Sequence, residues 1–186
     1  MGVQATEEAP YEPGSVYSCN FGDGDIIFYV VSEEENNIKL IMNENFEDKV
    51  KWNESDDESI GPITALAYLE SETSSWDVLR KSGGKIELPS ADFMTNVISE
   101  WKEKNIDAEY GPDWLRTNLW EGSLDLTKDH HYEYWTSTPI PSDYDYYYAY
   151  HDGYIISLVG IVDVEHGGFS GVRPLITVPK ENIKVS

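Results

Sequence analysis

Asp25-Ile26-Ile27-Phe28-Tyr29-Val30-Val31-Ser32, a polar run over residues 33–37, and then Ile38-Lys39-Leu40-Ile41-Met42: the fold class turns on this stretch. Both apolar runs are dense in β-branched and aromatic side chains, which fit a pleated surface better than a helix. Each is also too short for a buried helix of ordinary length. The Glu-rich and Asn-rich segment between them reads as a turn, so the stretch predicts an antiparallel hairpin.

Toward the start of the chain, Glu7, Glu8, Pro10, Pro13 and Gly14 suggest a flexible leader over residues 1–14. It lacks the apolar core of a secretory signal. Past the hairpin, residues 43–59 read as an acidic surface excursion. Pro62 suits the first turn of a helix over 62–70. After Gly83-Gly84, Ser90 caps a second helix over 90–103, with Asp92 in its first turn. Met94, Val97, Ile98 and Trp101 fall on one stripe of that helix, which predicts burial of all four. A loop opening at Gly111-Pro112 carries Trp114 and Trp120. From residue 132 the pattern turns to strands, at 134–138, 146–150, 154–159, 161–164 and 172–178. Asp152-Gly153 is a two-residue hairpin signal, and Pro174 marks a strand beginning or an edge. Hairpin, two helices and several antiparallel strands make an α+β domain over residues 15–186.

Thirty-five acidic residues against 13 basic ones leave a net charge of −22. Such a field repels phosphate backbones and anionic lipid surfaces, which argues against nucleic-acid and membrane-surface partners. No apolar run reaches the roughly 18 residues of a membrane helix. Cys19 is the only cysteine, so no internal disulfide forms. Neither a nucleophile elbow nor a glycine-rich phosphate loop is present. His130 and His131 are adjacent and point to opposite faces of a strand, so they do not share one ion. The sequence therefore predicts no enzyme, no metal and no cofactor.

Three landmarks sit on this element order: Leu88-Pro89-Ser90, Tyr134-Trp135-Thr136-Ser137-Thr138 and Gly171-Val172-Arg173-Pro174. In that order and spacing they resemble the bacterial, archaeal and phage branch of C-type-lectin-like domains, which includes the formylglycine-generating-enzyme subclass. The resemblance implies two helices packed on a twisted antiparallel sheet with long loops. It also implies that residues 142–170 correspond to the variable region of proteins diversified by retroelements, which serve as virus receptor-binding tips and microbial surface adhesins. Adenine-directed mutagenesis in that family yields Tyr, Asp, His, Ser and Asn at exposed positions. Ser142, Asp143, Tyr144, Asp145, Tyr146, Tyr148, Tyr150, His151, Asp152, Tyr154 and His166 match that expectation and form the candidate ligand-binding set. The formylglycine chemistry uses cysteines that the matching region lacks. The Glu-Pro-Asn and Gln-Pro-Asp triplets of calcium-dependent sugar binders are absent as well.

The residues alone point the same way. Eight of the 13 tyrosines lie between Tyr132 and Tyr154. On a strand, Tyr146, Tyr148 and Tyr150 share one face and Tyr147 lies on the other, and tyrosines on both faces are hard to bury with every hydroxyl satisfied. Tyrosine suits recognition because it offers rigid aromatic area with a polar tip, although it is also an ordinary strand former. Trp76, Trp114, Trp120 and Trp135 read as core and loop-pinning residues, and Arg173 as a tie to acidic loops. The expected role is reversible binding of a host or cell-surface protein or glycan, outside the cell, on a cell surface or on a virion. A structural module of a pilus or surface protein is the other reading.

Overall fold

The structure, a computed structural model, describes residues 2–5, 11–22, 24–55, 60–105, 112–116, 134–137 and 169–185. The protein is α+β. It divides into two compact units, one of residues 1–43, 69–87 and 174–186 and the other of residues 44–68 and 88–173.

The first unit is built on the hairpin. Strands β3 (Asp25–Glu33) and β4 (Asn37–Met42) pair antiparallel, Phe28 opposite Met42 and Val30 opposite Leu40. The register shifts between Val30 and Ser32, so Val30 and Val31 are both buried although adjacent; a bulge breaks the strict in-out alternation in this way. Strand β2 (Val16–Asn20) pairs with β3 and buries Tyr17 and Cys19 completely, while Val16 and Ser18 are half-buried. This alternation is the usual sign of a half-covered strand. Strands β1 (Gly2–Ala5), β6 (Lys85–Glu87), β8 (Leu175–Pro179) and β9 (Ile183–Val185) complete a seven-stranded sheet in the order β6-β8-β4-β3-β2-β1-β9. All of its pairings are antiparallel except β1 against β9. Residues 2–5, read from the sequence as part of a flexible leader, therefore form a strand between β2 and β9. Four residues without alternation carry no strand signal, and their hydrogen bonds come from neighbours distant in sequence. Strand β8 begins directly after Pro174, as a proline without an N–H dictates, and Leu175 through Val178 are all buried.

Aromatic rings fill the core of this unit. Phe21 stacks on Trp76 with ring centroids 4.6 Å apart, and Phe28 meets both edge-on at 6.2 and 6.0 Å. Such pairs add to the area they bury. Trp76 leads into the short helix α2 (Asp77–Lys81). Beside it, Arg80 donates to the Thr73 carbonyl at 2.8 Å and to Thr73 Oγ1 at 3.0 Å. Lys180 closes one end of the sheet, bonding Glu33 at 2.6 Å and lying 5.0 Å from the Tyr11 ring centroid.

In the second unit the Ser90 side chain accepts a 3.2 Å bond from the Phe93 N–H and opens helix α3 (Ala91–Lys104). Asp92 in its first turn and Lys102 and Lys104 in its last suit the helix dipole. Met94, Val97 and Ile98 are buried as the stripe predicts, but Trp101 is only half-buried. The covered face ends a turn before the helix does, because Glu103, Lys104 and Asn105 are already exposed. The division between the units falls within helix α1 (Ile63–Glu72), which buries Ala65 and Leu69 and leaves Ile63 and Leu66 exposed. The short helix α4 (Asp113–Arg116) and the two-residue strands β5 (Val50–Lys51) and β7 (Phe169–Ser170), paired antiparallel, belong to the second unit. Where a strand was predicted over 134–138, the described residues form a single parallel bridge, Tyr134 to Gly171. The strands predicted at 146–150, 154–159 and 161–164 lie outside the described residues.

Candidate functional site

All eleven candidate ligand-binding residues, from Ser142 to His166, lie outside the described residues. What the structure places is the frame on either side of them. Trp135 donates its backbone N–H to the Gly171 carbonyl at 2.9 Å, next to the Tyr134–Gly171 bridge. The chain thus leaves this frame at residues 134–137 and re-enters it at 169–173, at the same place.

Each residue of the exit is tied down separately. The Trp135 indole N–H reaches the Val50 carbonyl at 2.6 Å, and the Trp52 indole N–H reaches the Thr136 carbonyl at 2.9 Å. Both rings are buried, so the two indoles lose water without leaving their only donor unpaired. Ser137 donates its N–H to the Pro89 carbonyl at 3.0 Å, just ahead of the Ser90 cap. On the return side, Ser170 and Phe169 pair with Val50 and Lys51, and Val172 accepts from the Phe46 N–H at 2.9 Å. Val50 is therefore shared, its carbonyl receiving Trp135 and its strand receiving β7. Trp52 also receives the N–H groups of Thr64 and Ala65, both at 3.2 Å, which anchors the first turn of α1.

Arg173 is the charged centre of this frame. It is 1% exposed, donates to the Leu115 carbonyl at 2.9 Å and holds its guanidinium 5.5 Å from the Tyr134 ring centroid. A weakly hydrated planar cation tolerates burial better than an ammonium does, and an aromatic face offsets part of the desolvation. Tyr134 is fully buried. Burial pushes its phenol up, and the neighbouring Arg173 charge opposes that rise. Tyr134, an early member of the tyrosine-rich segment, therefore belongs to the core.

Trp135 and Arg173 carried signals in the sequence. Trp52 did not stand out there, and nothing in residue identity marks the carbonyls of Val50, Leu115 and Thr136 as acceptors. Among the described residues no group of three or more His, Cys, Asp or Glu is placed to hold a metal ion, and no helix is long and apolar enough to cross a membrane. Cys19 is fully buried and burial pushes its thiol up to about 12, which leaves little thiolate for nucleophilic chemistry. No protein-family model, curated protein or solved structure matches the chain.

Proposed function

We propose that the protein is a non-enzymatic, C-type-lectin-like ligand-binding domain whose recognition surface is the Tyr- and Asp-rich segment 142–170, of the retroelement-diversified kind. Its ligand is a host or cell-surface protein or glycan, met outside the cell, on a cell surface or on a virion. Supporting this reading is one arrangement: Tyr134–Ser137 and Phe169–Arg173 are fixed against each other by the Tyr134–Gly171 bridge and the Trp135–Gly171 bond. A segment whose ends meet on a buried frame tolerates changes of sequence between them without moving the frame. Tyrosine supplies contact area there at low entropic cost, and Asp and Ser supply adaptable hydrogen bonds.

The test is alanine at Tyr146, Tyr148, Tyr150 and Tyr154, compared with the parent on glycan arrays, protein arrays and whole cells. A few aromatic anchors carry most of the energy of such surfaces. Parent capture should therefore fall at least about tenfold in one or more variants, with the melting temperature unchanged. Variants that melt far below the parent make the tyrosines structural. A parent that captures nothing on any array or cell leaves the protein as a structural module of a pilus or surface assembly.

A further inference from the structure

We draw no further inference here: the strongest candidate, the exposed apolar strip of Ile60, Ile63 and Leu66 at the start of α1, carries nothing because nothing in the structure shows what covers it.

Discussion

In the sheet unit, the strands are held by backbone-to-backbone ladders, both between close neighbours such as β3 and β4 and between strands far apart in the chain such as β4 and β8. In the second unit, the bonds that matter run from side chain to backbone across long separations. Trp52 to Thr136 spans 84 positions, Trp135 to Val50 spans 85, and Arg173 to Leu115 spans 58. A ladder is redundant, since losing one side chain leaves its backbone bonds in place. A tryptophan tether is not, since the ring supplies both the buried area and the donor. Substitutions should therefore cost most where the fold depends on single side chains.

Trp135→Ala offers the largest effect. Removing a buried tryptophan costs roughly 3–5 kcal/mol, and Trp135 is buried with its indole N–H bonded to the Val50 carbonyl. Loss of the bond adds an orphaned acceptor. Urea denaturation should show a midpoint far below the parent's, or no cooperative transition. Trp135→Phe separates the two contributions, because it keeps most of the ring and deletes the donor. It should cost about 1–3 kcal/mol, the penalty of one unsatisfied buried group. A Trp135→Ala protein as stable as the parent would remove the contrast between ladder and tether.

Gly84→Ala probes the sheet unit at a point where a ladder offers no redundancy. A Cβ at Gly84 would sit 2.8 Å from the Thr177 carbonyl oxygen and overlap the Leu79 side chain. Leu79 and Thr177 are both buried, so neither yields easily. Overpacking of this kind costs about 1–3 kcal/mol, measurable as a lower denaturation midpoint. A neutral result would show that β6 and β8 separate readily and that this edge of the sheet is looser than its register implies.

The same contrast explains how much was legible in the sequence. The hairpin of β3 and β4 was readable because β-branched density and a polar turn are local signals. Ser90 and the stripe of Met94, Val97 and Ile98 were readable for the same reason. Strand β1 was not, since Gly2–Ala5 has no pattern of its own and takes its partners from β2 and β9. Strand β2 carries the alternation of Tyr17 and Cys19, but five residues between a proline-rich start and the glycines at 22 and 24 are too few for that alternation to stand out in the sequence. The short elements α2 and β6 fall below the length at which periodicity speaks. For the frame, the sequence marked Trp135 as a core residue but read Arg173 as a tie to acidic loops, whereas Arg173 is buried. The partners that Trp135 and Arg173 reach in Val50 and Leu115 are main-chain carbonyls, which look alike in every sequence. Trp101 shows the opposite failure: the stripe continues to it, but the cover that would bury it does not.

Buried Cys19 makes the sheet unit pH-sensitive in one direction. Its thiol is raised from 9.0 to about 12 by burial. Below the ordinary thiol range the folded and unfolded chains both hold the proton, and the group does not affect stability. Above it the unfolded chain releases its proton first, so stability falls as pH rises toward 12, by about 1.4 kcal/mol per pH unit for one such group. Cys19→Ala should flatten that part of the stability profile between pH 9 and 11, measured by urea titration at each pH. An unchanged slope would mean that other groups, such as the similarly buried Tyr17 phenol, dominate the alkaline limb.

Ser90→Ala has the smallest expected effect and tests whether a local signal stays local inside the tethered unit. The Ser90 hydroxyl accepts the Phe93 N–H at 3.2 Å, one of the donors a helix start leaves without a partner. Alanine at such a cap costs about 1 kcal/mol, whereas glycine costs only a few tenths. A larger loss for Ser90→Ala than for Ser90→Gly would therefore place the effect in the cap. The residue before it, Pro89, accepts the Ser137 N–H at 3.0 Å, so the cap adjoins the point where residues 134–137 are tied. If cap and tether act independently, Ser90→Ala combined with Trp135→Phe should give the sum of the two single losses, to within about 0.5 kcal/mol. Amide exchange should then speed up at Phe93 and Met94 in the cap variant and leave Trp135 as slow as in the parent. Faster exchange at Trp135 in that variant would show that the helix start and the frame are one cooperative element, and the separation into local and long-range bonds would fail at the place where the two meet.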